Sequence, residues 1–146
     1  MNRLTLTLAP DDDGTAELRG SVEGEGFSGS GAAWFDRDAL EAFCASLAAY
    51  PIDRQSPPAL AGGYWDGQKL RETHLSVRVV PYDALGALQV SVHLGTPAAG
   101  NEPADRGRGV TTWFLAGYND LDRFRAAFAK VLNGAADEAV LTSTWE

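Results

Sequence analysis

Few side chains in this sequence are of types that do chemistry, and their spacing limits what they can do. There are two histidines, His74 and His93, and one cysteine, Cys44. If a hairpin pairs Arg78 with Gln89 and Ser76 with Ser91, His74 falls opposite His93 on a polar face. Two imidazoles so placed could begin a metal site, but no third ligand is visible, so no metal is assigned. Cys44 lies four residues after Leu40, on the apolar stripe of a helix, and reads as a core thiol rather than a nucleophile. Gly24-Glu25-Gly26-Phe27-Ser28-Gly29 spells G-x-G-x-x-G. A dinucleotide site needs those glycines to join a buried strand directly to a helix. Here the preceding segment is acidic and the next helix starts too late, so a Gly-rich hairpin or bulge is expected. No nucleophile elbow, H-E-x-x-H helix or P-loop lysine is present. No cofactor and no catalytic residue is therefore assigned.

What remains is chemistry of recognition. The chain carries a formal charge of −8, and residues 1–50 hold nine acids against three arginines, a local charge of −6. Asp11, Asp12 and Asp13 sit in one turn, with Glu17, Glu23 and Glu25 farther along. Such a field repels nucleic acid and anionic lipid and speeds encounter with a basic protein. Tyr64-Trp65 lies in a long connection spanning residues 51–72, and large aromatic side chains are common anchors of protein interfaces. The same connection could instead fold back as a lid over one edge of the core. These eight residues form the expected partner-binding set.

The elements that position them follow from periodicity. Leu4, Leu6 and Leu8 alternate with Thr5 and Thr7, a strand with one buried face. Leu18 and Val22 mark a second strand and Ala32–Phe35 a third. Asp38 and Glu41 have capping-box spacing ahead of Leu40, Phe43 and Leu47, and Pro51 marks the helix end. The alternation returns at Leu75–Val79, Leu88–Leu94 and Val110–Leu115. Asn119 then caps a helix with Leu121, Phe124 and Phe128 on one stripe, ended by Asn133-Gly134. Val140–Trp145 reads as a short strand or a frayed tail, and Thr96–Gly109 as a mobile loop.

The expectation is one α+β domain over residues 1–146, in the order βββα-βββα. Its antiparallel sheet would have five to seven strands, with both helices packed on one face. Residues 1–50 and 73–134 align as half-repeats, which leaves an internal duplication open. The aligned residues are Leu4/Leu6/Leu8 with Leu75/Val77/Val79, Leu18/Val22 with Leu88/Val92, Trp34-Phe35 with Trp113-Phe114, and Leu40/Phe43/Leu47 with Leu121/Phe124/Phe128. The apolar fraction of 45% and charged fraction of 22% are those of a globular chain. A lone cysteine permits no internal disulfide, the first residues lack the apolar run of a signal peptide, and no segment has the roughly 18 apolar residues of a membrane span. The expected setting is the cytoplasm.

Three stretches carry a resemblance to a known family. They are Phe27-Ser-Gly-Ser-Gly-Ala-Ala-Trp-Phe35 running into Leu40-x-x-Phe43-x-x-x-Leu47 and Tyr50-Pro51, the hairpin Val79-Val-Pro-Tyr-Asp-Ala-Leu-Gly86, and Tyr118-Asn-x-Leu121-x-x-Phe124. The chain resembles small bacterial proteins of the WapI-type immunity group. That resemblance implies a cytoplasmic protein that neutralises a cognate toxin by tight binding, and it carries over no site residues. The leading expectation is thus a non-catalytic binder of a basic, toxin-like protein. The alternatives are a small-molecule binder or small enzyme, a self-assembling protein, and an acidic inhibitor of nucleic-acid machinery.

Overall fold

Among the described residues the chain forms eight strands, most of them marked by alternating apolar and polar residues, and distributes them between two sheets. The computed structural model describes residues 1–97 and 107–143. Three strands form a first meander: β1 (Arg3–Pro10), β2 (Thr15–Gly24) and β3 (Phe27–Asp36). Helix α1 (Arg37–Ser46) follows, then β4 (Ala59–Asp66), β5 (Lys69–Pro81), β6 (Leu88–Gly95) and β7 (Gly109–Ala116). Helix α2 (Tyr118–Leu132) and β8 (Glu138–Thr142) complete the described chain. The first sheet has the order β3-β2-β1-β8 and the second β4-β5-β6-β7. Every paired neighbour is antiparallel.

The α+β class and the antiparallel pairing agree with the expectation, but a single sheet of five to seven strands does not. The difference arises in the 51–72 connection, which holds β4 and the start of β5. Ala59-Leu60-Ala61-Gly62-Gly63 has little alternation in hydropathy, because small residues occupy both faces, so the strand has no period-2 signature. The exchange of strands is symmetric. The strand after α1, β4, adds to the β5-β6-β7 meander, and the strand after α2, β8, adds to the β1-β2-β3 meander. Each half of the chain thus supplies β-β-β-α-β and completes the other half's sheet.

Register refines the correspondence between halves. Leu6 sits between Gly20 and Ala139, as Val77 sits between Val92 and Leu60. Leu18 therefore matches Val90 rather than Leu88, and Ala33 and Phe35 match Phe114 and Ala116. The alignment read from the sequence is two residues out in both strands, because a shift of two preserves the inward and outward pattern.

The inward residues of both sheets and both helix stripes join one core, which includes Leu6, Leu18, Val77, Val90, Phe43, Phe124 and Phe128. The helices touch each other through Phe43 and Phe128, whose rings meet edge-on at 6.2 Å. Helix α2 packs on β8 and β1, and α1 on β3 and β4. Cys44 is buried at the helix interface, its thiol 3.6 Å from the Arg125 carbonyl oxygen. Burial pushes the Cys44 pKa up, against a smaller opposing effect of the Arg125 charge. Both helices start earlier than their expected caps. Asp36 is the N-cap of α1, and α2 begins after Gly117, whose N–H donates to buried Asp120 at 2.9 Å. Pro51 lies four residues beyond Leu47, the C-cap of α1, while Gly134 at φ +82° supplies the expected left-handed stop of α2. The expected loop Thr96–Gly109 falls largely on residues outside the described ones.

Glycines set how closely the sheets approach. A Cβ on Gly31 would lie 2.5 Å from the His74 carbonyl oxygen and 2.7 Å from the Gly95 nitrogen. The middle of β3 therefore rests directly on the backbone of β5 and β6. A Cβ on Gly62 would lie 2.6 Å from the Phe35 ring, so here a side chain rather than backbone fills the space.

Candidate functional site

Beyond Gly31 the seam between the sheets widens into a groove. In β3, Ala33 and Phe35 point into the core, so Trp34 and Asp36 must point out. Trp65, near the end of β4, reaches the same groove from the second sheet. The groove has a volume of about 710 Å³ and is lined also by Thr15, Phe43 and Pro57. The two indoles are 52% and 45% exposed, far more than a core aromatic would be. Helix α1 contributes Ala39, Ala42 and Ser46, small side chains that leave the space unfilled.

Acidic groups gather at the Thr15 end. Asp36 lines the groove and pairs across the ladder with Thr15. Asp13 accepts from the Thr15 hydroxyl at 2.6 Å and from its backbone N–H at 3.0 Å. Those hydrogen bonds, the hydroxyl's foremost, hold the fully exposed Asp13 carboxyl below its usual pKa. The Gly14 carbonyl accepts from the Arg37 N–H at 3.1 Å, which ties this turn to the start of α1. Glu17 is the cross-strand partner of Trp34 and binds Arg19 at 2.6 Å.

The expected binding residues thus divide into groups. Trp65, Asp13 and Glu17 lie on or beside the groove. Asp11 and Asp12 share the exposed turn with Asp13, and the Asp11 carboxylate accepts from the Asp12 N–H at 2.7 Å. Tyr64 is exposed next to Trp65, opposite Glu72, but does not line the groove. Glu23 and Glu25 lie at the far end of ten-residue β2, about 30 Å away at roughly 3.3 Å per residue. Glu23 pairs with Arg3 at 3.5 Å, and Glu25 forms the β2–β3 turn with φ +53°, followed by Gly26 at +83°. The G-x-G-x-x-G stretch is therefore a hairpin, as expected. The six acids are strung along a hairpin rather than gathered into one patch. Trp34 and Asp36 were absent from the expected set, although the inward Ala33 and Phe35 already turn them outward.

The histidines are not cross-strand partners. Arg78 pairs with Ser91 and Ser76 with His93, two residues from the expected register. The cause is the turn: Asp83 accepts from the N–H groups of Leu85 and Ala87, so residues 82–87 all belong to the connection. His74 lies just beyond the last pair, Leu75 with Leu94, and its ring meets Glu72 at 3.0 Å. His93 instead meets the Thr111 hydroxyl at 2.7 Å. Among the described residues no three His, Cys, Asp or Glu side chains converge as metal ligands. Among the same residues no helix is long and apolar enough to cross a membrane.

Comparison with family models, with curated proteins and with solved structures finds no match to this chain.

Proposed function

We propose that this chain is a non-catalytic protein-binding domain whose anchor is the groove between Trp34 and Trp65. Its most concrete form is an immunity protein that neutralises a cognate basic toxin by tight binding in the cytoplasm, without contact to nucleic acid or membrane. The observation that carries the reading is the pair of half-exposed indoles, one from each sheet, on a single open groove. Large aromatic side chains that become fully desolvated dominate interface energies. Asp36, Asp13 and Glu17 at the same place favour a cationic side chain between or beside the rings. The resemblance to the WapI-type group supports the toxin in particular.

The test is recovery of the bound protein, followed by association and dissociation rates for two variants. Trp34→Ala with Trp65→Ala should speed dissociation about 30-fold or more, the equivalent of roughly 2 kcal/mol. Asp11–Asp13 changed to Asn should slow association and flatten its salt dependence. Unchanged rates in both would reject the groove.

A specific feature favours one alternative, a small-molecule site. The His74–Glu72 pair is largely buried, and His74 lines a second cleft of about 530 Å³ together with Glu17, Arg19 and Ser30. Trp34 lines both sites, so loss of ligand binding in His74→Gln with Trp65→Ala unaffected would favour that cleft.

A further inference from the structure

The groove between Trp34 and Trp65 runs along a strand edge rather than over a sheet face. A face would contribute alternate residues of a strand, because successive side chains point to opposite sides. The groove instead takes the consecutive residues Ala59, Leu60 and Ala61 from β4, and none from neighbouring β5. β4 is an outer strand of its sheet, and both alanines are exposed. Their small side chains, with Ala39 and Ala42 of α1 across the groove, leave that edge open.

The backbone groups on this edge can be assigned. The Val79 N–H donates to the Pro58 carbonyl at 3.0 Å, one position before Ala59 pairs with Arg78. Hydrogen-bonded pairs alternate along an antiparallel ladder, so Leu60 and Gly62 turn their backbone groups to β5. Ala59 and Ala61 turn theirs away, ahead of the register shift at Gly62/Gly63. Among the described residues neither a turn or loop nor another strand bonds to the N–H and carbonyl groups of these two alanines. Solvent satisfies them while the groove is open. A partner that covers the groove must replace those bonds, since a buried backbone group without a partner is costly. A helix cannot do so along its length, because its own N–H and carbonyl groups are already paired. An extended strand can.

We infer that the protein partner enters this groove as an extended segment, which adds a strand to the free edge of β4 and places an arginine beside Trp34, Trp65 and Asp36. The inference rests on the groove being the binding site, as proposed above. In a strand addition the main-chain bonds, here to Ala59 and Ala61, supply affinity, and side-chain pockets supply selectivity. The pocket chemistry favours a planar cation. Asp36 is the only charged side chain among the described residues that line the groove. Arg37, next to it in sequence, lies outside the lining and donates to the Leu132 carbonyl, and Arg19 is held by Glu17. Asp13, bound to Thr15 at the same end, adds a second negative charge. An arginine stacks its plane on an indole while its N–H groups point at a carboxylate, a combination that a lysine ammonium lacks. Of the two strands bordering the groove, β4 offers the longer ladder. β3 runs into α1 directly after Asp36, so a strand added there would end at once.

The experiment selects binders to the full chain from a library of random peptides about ten residues long, the upper end of ordinary strand lengths. Each selected peptide is remade with one backbone nitrogen methylated at a time, and amide exchange of the protein is followed with the peptide bound. The expected result is selection of arginine-bearing sequences whose affinity falls about tenfold or more at alternate methylated positions. The Ala59 and Ala61 amides become slower to exchange, and Trp65→Ala weakens the same peptides about tenfold or more. Peptides that depend on Trp65 yet tolerate methylation throughout, or leave the Ala59 and Ala61 amides unprotected, would overturn strand addition while the groove reading stands. Protection of the Trp34 amide in their place, or selection of peptides without arginine, would also overturn it. Peptides indifferent to both Trp34→Ala and Trp65→Ala would remove the groove reading as well. Recovery of no peptide would overturn the inference, because it requires a linear segment, and would leave the groove to its test with the recovered partner. The methylation and exchange measurements use the unaltered protein, so they hold if a tryptophan variant fails to fold.

Discussion

The two halves of β3 behave oppositely, although they belong to one ten-residue strand. Near its middle it lies close against the second sheet, Gly29 on the Val110 side chain and Gly31 directly on the His74 and Gly95 backbone. From Trp34 to Asp36 its outward side chains form one wall of the groove, and the inward Phe35 ring, not backbone, meets Gly62 of β4. Side-chain size separates the two regimes: at Gly31 backbone meets backbone, and at Phe35 a ring keeps the strands farther apart. The groove is thus a consequence of packing in the core as much as of the residues that line it.

Substitutions can break this contrast or sharpen it. Gly31→Ala should have the largest effect, about 2–3 kcal/mol of lost stability, because its Cβ would press on the His74 and Gly95 backbone. A denaturant midpoint within error of wild type would show that the closed half is not closed. Gly62→Ala should cost less, about 1 kcal/mol, since the added Cβ meets the tip of the Phe35 ring, which can turn toward the groove. The check is a shift of the Phe35 ring resonances larger than in any other core aromatic. Trp34→Ala and Trp65→Ala should each change stability by less than about 0.5 kcal/mol, as exposed side chains without a partner do. A larger loss would mean that the open half is a folded-in lid.

The smallest expected effect is a pH dependence at the groove's acidic end. Asp13 has a folded-state pKa below its unfolded value. Its hydrogen bonds to Thr15 therefore contribute fully above the unfolded pKa, and the contribution is lost as pH falls through the folded one. Asp13→Asn should remove that part of the acid-side slope. Urea titrations of both proteins across the acid range would read it, and identical slopes would count against the Asp13–Thr15 contact.

Most of the local structure was legible in the chain. Period-2 alternation marks β1, β5 and β6, helical stripes mark α1 and α2, and Gly134 ends α2, because each signal is local and repeats along a single element. Cys44 could be placed in the core for the same reason. β4 was not legible, since Ala and Gly on both faces leave no alternation to read. The hairpin register at His93 was missed because the Asp83 side chain, not the strand pattern, fixes the turn.

For the candidate site, alternation alone turns Trp34 and Asp36 outward, and composition places most of the net negative charge, −6 of −8, in residues 1–50. Neither says that Trp34 and Trp65 share a groove. That relation depends on how the two sheets exchange strands and on contacts such as Gly31 with His74 and Gly95, between residues more than 40 positions apart. The sequence alone determined which face of each element is apolar, because that depends on neighbours one to four residues away. Only the tertiary structure decided which faces meet, because that depends on filling a shared core without voids.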